Sequence, residues 1–454
     1  MSVESASADV IPNDQPQAEI FKLKIDHFEE LFDWLYLKDL VALSKTCKRM
    51  QRIVGYYIKT TYAAIKFNCT SDGIERGYQG FKLTGLSSFL KKLTFHNLEY
   101  VPIMEADQFK SLTEILLPTD VLTDAGISRI KGILGQLETV KLCFPLSLDD
   151  NKDIYGDFLK YCTNVKELCI QGSSNSCLVG ADNSWLLREY PTLEHFELTM
   201  DKDETGPIDE LSTFFERNTH IKRFATNVEM ILANSDTFKT IPAKWDVLIV
   251  RFCNTNTFNP SRDLLNELYE RGRFNEVHVY FRTLFPYTYF DQASVNELTS
   301  FKGLTKLYVQ GIENDTDLSR LITLKQFYIH RAYKIANTKT LATKLFNLEF
   351  IHFCYASDVR DIVPFICHSP KLTKIVVFRL EEDPDELILN LVQLNKERSK
   401  LPNARKVTIY VEEHVYLAVK WTINQTSLIE IKRGSSYDTL NHSFDYMDNP
   451  DNTF

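Results

Sequence analysis

Ten histidines and nine cysteines are the side chains of this 454-residue chain best suited to hold a metal or attack a substrate. Neither set is spaced to do so. His278, His330 and His352 come from three separate segments. A structural zinc ion needs four ligands, each about 2.0–2.3 Å away, and nothing in the spacing points to that constellation. The cysteines form no CxxC pair, and the chain contains no GxSxG, no P-loop, no GxGxxG opening a helix and no HExxH. No catalytic residue, cofactor or metal is therefore expected, and the chain should not be an enzyme by itself. The remaining chemistry available to it is recognition.

The elements that would position recognition residues repeat along the chain. L-x-x-L-x-L-like strings begin at 90 (LKKLTF), 112, 137, 165, 193, 221, 245, 274, 304, 324, 348, 372, 404 and 428, a spacing of 20 to 32 residues. The final apolar positions alternate with polar ones, the period of a half-buried strand. Between them lie segments such as DNKDIYGDFLKYC, PIDELSTFFERN, PSRDLLNELYERG and SDVRDIVPFICHSP, which read as capped helices. A strand plus a helix cannot bury its apolar face alone, so such units stack into one continuous core. Period and strand motif resemble leucine-rich repeats. The resemblance implies an α/β solenoid from 86 to 433, a horseshoe with parallel strands on its concave face and helices on its convex face. The regular Asn of the strictest consensus is missing.

Ahead of the array, Phe28, Leu31, Phe32 and Leu35 fall at i, i+3, i+4 and i+7, an apolar stripe on one short helix. Asp39 stands where an N-cap would open a second helix through Leu40, Leu43, Cys47 and Met50. Residues 19–65 resemble an F-box, the module that docks a substrate receptor onto the Skp-family adaptor of a cullin-RING ubiquitin ligase. Leu23, Asp26, Phe28, Leu31, Phe32, Leu35, Asp39-Leu40 and Cys47-Lys48-Arg49 follow that pattern in register, and Lys24 replaces its proline. The resemblance implies adaptor contacts from Leu23, Phe28, Leu31, Phe32, Leu35 and Leu40, with cullin and RING subunits reached through the adaptor. It implies a buried thiol at Cys47. Residues 66–85 would form a packed junction of loop and strand.

An F-box followed by leucine-rich repeats is itself a family arrangement, the substrate receptor of an SCF-type ligase, in which the array holds a protein substrate. The alternative is an interaction scaffold with a degenerate F-box and no ligase role, which Lys24 keeps open. A secreted receptor is not expected, because residues 1–18 are polar and acidic and lack the features of a signal peptide. They read, like the acidic tail 434–454, as disordered. Unpaired cysteines point to a cytoplasmic or nuclear setting. The net charge of -9 gives nucleic-acid binding no support, and no apolar run is long enough for a membrane span.

Side chains between the strand leucines should project from the concave face into solvent. Across the first seven repeats these positions carry no aromatic residue, whereas the next six supply Tyr280, Tyr308, Tyr328, Phe350, Phe378 and Tyr410, with His278, His330 and His352. Interfaces are enriched in such side chains. Tyr280, Tyr308, Tyr328, His330, Phe350, His352, Phe378 and Tyr410 are accordingly the expected substrate contacts.

Overall fold

The computed structural model describes residues 25–32, 35, 37–61, 64–67, 91–95, 109–118, 122, 124–143, 154–172, 183–200, 206–253, 257–281, 290–313, 315–332, 337–356, 361–380, 389–419 and 427–433. Leu23, Lys24, the N-terminal 18 residues, most of the junction and the tail lie outside them.

The protein is α/β, and its described residues form one open sheet of fifteen parallel strands whose spatial order equals their chain order. The strands are β1 (Ala64–Phe67), β2 (Lys92–Phe95), β3 (Glu114–Pro118), β4 (Thr139–Cys143), β5 (Glu167–Gly172), β6 (His195–Met200), β7 (Arg223–Asn227), β8 (Trp245–Phe252), β9 (Phe274–Phe281), β10 (Leu304–Gly311), β11 (Gln326–Ala332), β12 (Phe350–Ala356), β13 (Lys374–Leu380), β14 (Val407–Val411) and β15 (Ile429–Arg433). Each pairs only with its predecessor and successor, the arrangement a solenoid requires. Every one of the repeated strings forms a strand, β2 to β15, and β1 precedes them, so the sheet begins ahead of the expected boundary at 86.

Alternation within each strand divides its side chains between two faces. Val140 and Leu142, Leu168 and Ile170, Phe196 and Leu198, and their counterparts in later strands are buried in one core with helix residues such as Leu211, Phe214 and Phe215. The expected helical segments form Ile154–Leu159, Glu210–Arg217, Phe258–Glu270 and Val363–His368. Phe196, Phe215, Phe224, Phe238 and Trp245 meet ring to ring, with Phe224 and Trp245 centroids 5.0 Å apart. Gly303, at φ 76°, turns the chain into β10 where an added Cβ would stand 2.6 Å from the Tyr269 ring.

Buried polar side chains tie consecutive units together. Asn218 Oδ1 accepts from Tyr190 N at 2.7 Å while its Nδ2 donates to Phe214 O, and Asn234 repeats this pattern with Ile208 N and Met230 O. The half-buried Gln136 plays the same part, its Nε2 donating to Phe109 O and Leu112 O. Near the far end Arg398, with no exposed surface, donates to Ile366 O at 2.8 Å, Leu372 O at 2.7 Å and Arg405 O at 2.8 Å. These groups satisfy carbonyls and amides left over at helix and loop ends, which burial would otherwise penalise. Residues of several types share the task, so no regular Asn was visible.

The N-terminal helices are α1 (Ile25–Phe32), α2 (Leu37–Ser44) and α3 (Lys48–Thr61). Two expectations are corrected here. Asp39 is not an N-cap: α2 starts at Leu37 and Asp39 sits in its first turn, where a carboxylate favours the helix dipole. The second helix also does not run through to Met50. It stops at Ser44, and a new one starts at Lys48, with Met50 N donating to Cys47 Sγ at 3.4 Å in the manner of a cap.

Candidate interaction face

The first candidate surface is the helical unit. Phe28, Phe32 and Leu40 are wholly buried, and the Phe32 ring lies 5.7 Å from Phe28 and 5.3 Å, edge-on, from Tyr57 of α3. Aromatic contacts of this kind stabilise by about 0.5–1.5 kcal/mol beyond area burial. Three of the expected adaptor contacts are therefore spent inside the chain. Leu35 is half-buried against the same core. Leu31 alone of the stripe is exposed, at 39%, with Tyr56 on α3 also exposed. The expected buried thiol at Cys47 is half-buried instead.

The second candidate surface is the sheet face opposite the main core. Among the described residues its apolar cluster is built from strand residues alone: Ala225, Ile249, Tyr280, Tyr308 and Tyr328, flanked by Val247 and Phe350. Two register shifts decide which side chains become neighbours. String alignment puts Glu276 level with Lys306, but the ladder pairs Lys306 with His278 and Tyr308 with Tyr280. Likewise Thr408, not Lys406, pairs with Lys374, and Tyr410 with Val376. A slip of two residues keeps every side chain on its face. It also aligns Tyr280, Tyr308, Tyr328, His352, Val376 and Tyr410 in one row across six strands.

In-register neighbours on a parallel sheet sit about 4.8 Å apart, so such rows stack. Tyr280 and Tyr308 are parallel to within 20° at 5.7 Å, and Tyr328 meets Phe350 at 4.8 Å. Lys306 Nζ lies 4.3 Å from the Tyr328 ring centre and 5.1 Å from that of Tyr280. Lys374 Nζ lies between Tyr410 at 4.9 Å and Phe350 at 5.3 Å. Cations over ring faces are attracted by the ring quadrupole.

Burial corrects the expectation that these residues project into solvent. Tyr280, Tyr308, Tyr328, His330 and His352 are all at least nine-tenths buried. Phe350, Phe378 and Tyr410 are half-buried and form the accessible part of the set. Burial pushes the His352 pKa down to about 3, helped by Lys374, His330 and Lys306. It pushes His278 down to about 3 as well, with Lys306 and Arg223 adding to the effect.

The N-terminal half of this face has different chemistry. Lys141 Nζ lies 3.4 Å from Glu114 Oε1 and 3.7 Å from Glu167 Oε1, and Glu167 Oε1 is 3.6 Å from His195 Nδ1. Burial alone would raise the Glu167 pKa, but Lys141, His195 and Arg223 outweigh it and hold the carboxyl below its ordinary value. Burial takes His195 down to about 4. Glu197, with no exposed surface, accepts from Gln171 Nε2 at 2.9 Å. Reading the sequence missed this cross-strand network, because its members are 28 or so residues apart and meet only through the ladder.

Among the described residues no His, Cys, Asp and Glu group could hold a metal ion, and no helix is long and apolar enough to cross a membrane. No family model matches this chain, and no curated protein does either. What the site can do therefore rests on its own geometry.

Proposed function

We propose that the chain is the substrate-recognition subunit of an SCF-type ubiquitin ligase. In this reading α1–α3 are an F-box that engages a Skp-family adaptor. The sheet is a leucine-rich-repeat horseshoe, and its second face is the concave surface that receives a protein substrate. The observation that carries it is the succession of parts: a helical unit, in which Phe32 packs on Phe28 and Tyr57, ends at Thr61, and β1, the first strand of the array, starts at Ala64. Acceleration would come from holding substrate lysines near a charged conjugating enzyme, not from any residue of this chain.

Among the described residues, adaptor docking falls to Leu31 and the half-buried Leu35, since Phe28, Phe32 and Leu40 hold the unit together. Substrate capture falls to Phe350, Phe378 and Tyr410. Affinity purification of the full chain followed by mass spectrometry tests both halves, because it reports adaptor, cullin and substrate in one sample. A second reading is an interaction scaffold without ligase. It is favoured by the burial of Phe28 and Phe32, which leaves a small apolar docking surface. Recovery of partners without adaptor or cullin would select it.

A further inference from the structure

On its described strand residues, the C-terminal part of the second face has one sign of charge. Among the described residues of β10 to β13 it carries the buried Lys306 and the half-buried Lys374, with no carboxylate between them. The ammonium of Lys374 rests between two rings and makes no ion pair with any described residue. Glu349, directly before β12, pairs with Arg405 at 3.3 Å, and Glu430 on β15 with Lys406 at 3.0 Å and Lys432 at 3.3 Å. A half-buried cation flanked by Phe350 and Tyr410 favours an anion more than a fully hydrated one would, since screening and solvation are both reduced there.

The segment that follows β15 has the complementary composition. From Ser435 to Phe454 it carries Asp438, Asp445, Asp448 and Asp451, no Lys or Arg, and the rings of Tyr437, Phe444, Tyr446 and Phe454. It also starts close by. Lys374 is level with Thr408 and Glu430, so it lies two strands from Arg433 and three residues back along the strand direction. Two strand spacings of about 4.8 Å and three residues along the strand make about 14 Å, and an extended chain covers about 3.3 Å per residue. Asp438 is within that reach, and Asp445 and Phe444 can lie as far across as β11.

We propose that residues 435–454 dock in cis on the second face, with aspartates at Lys374 and aromatic side chains on Phe350, Phe378 and Tyr410, and so compete with substrate for the same surface. This rests on the proposed reading only in calling the competitor a substrate; the docking itself does not need a ligase.

The test uses the full chain with p-benzoylphenylalanine in place of Phe444. On irradiation, mass spectrometry should find intramolecular cross-links within 304–380 and 407–411. Changing Asp438, Asp445, Asp448 and Asp451 together to Asn should cut the cross-link yield at least fivefold, as should Lys374→Glu. The tail change leaves every sheet residue in place, so its effect is not one of misfolding. Restoring charge complementarity, with Lys374→Glu combined with Asp438→Lys and Asp445→Lys, should recover the yield. Cross-links scattered over the helices, or a yield indifferent to both charge changes, would overturn the proposal. If docking is confirmed, the four-Asn chain should capture more partner protein than wild type. Unchanged capture would refute the competition.

Discussion

Tyr280 and Tyr308 stack across the β9–β10 boundary with centroids 5.7 Å apart, a pairing that exists only because the register slips between Leu304 and Lys306. Both rings are buried, so they act as packing as well as surface. Tyr308→Ala should therefore destabilise the protein by about 3 kcal/mol or more, read as a lower urea midpoint, as large-to-small core changes do. Phe378→Ala and Tyr410→Ala, at half-buried positions, should cost about 1 kcal/mol. Equal midpoints for all three would mean that Tyr308 is not held as described.

How far the sequence could be read is clearest at these same residues. The strand strings located β2 to β15, because a strand's period of two leaves its mark in any stretch of six residues. Which positions share a face followed too. What the strings could not reveal was the two-residue offsets at β10 and β14, since a slip of two preserves the pattern while changing every neighbour. The expectation of solvent exposure failed for a related reason. A tyrosine is exposed or buried according to the side chains stacked on it, and those lie 20 or more residues away. In the helical unit, the stripe Phe28, Leu31, Phe32 and Leu35 was legible, but which members face α3 depends on Tyr57, beyond any local pattern.

Arg398 should prove to be a clasp that lysine cannot replace. Its guanidinium reaches carbonyls from Ile366, Leu372 and Arg405 at once, and burial lowers its pKa to about 10. Arg398→Lys offers one ammonium in place of a planar fork, and Arg398→Ala leaves the carbonyls bare. Both should lower stability, by about 3 kcal/mol for alanine, with β13–β15 losing amide protection first in hydrogen exchange.

Acid should loosen the second face. His195, near 4, and His278 and His352, near 3, are held neutral by burial, whereas unfolded histidine titrates near 6.5. Below that value the unfolded chain binds more protons than the folded one, so stability is fully present above pH 6.5 and falls as pH drops toward 4. His352→Gln should flatten the slope of stability against pH by up to one proton in that window. An unchanged slope would show that His352 is protonated in the folded protein.

Separating Phe32 from Leu31 tests the helical unit's internal design. Phe32→Ala removes a ring packed on both Phe28 and Tyr57 and should destabilise α1–α3 by about 3–5 kcal/mol, seen as rapid proteolysis within 25–61. Leu31→Asp should leave proteolysis at the wild-type rate, because its side chain already faces water.

That same Leu31→Asp chain provides the decisive measurement. Purified Skp-family adaptor should bind the full wild-type chain and bind the Leu31→Asp variant at least tenfold more weakly, about 1.4 kcal/mol, while the variant keeps wild-type unfolding behaviour. Equal adaptor affinity for the two chains, or none for wild type, would contradict the reading of α1–α3 as the docking unit of a ligase receptor.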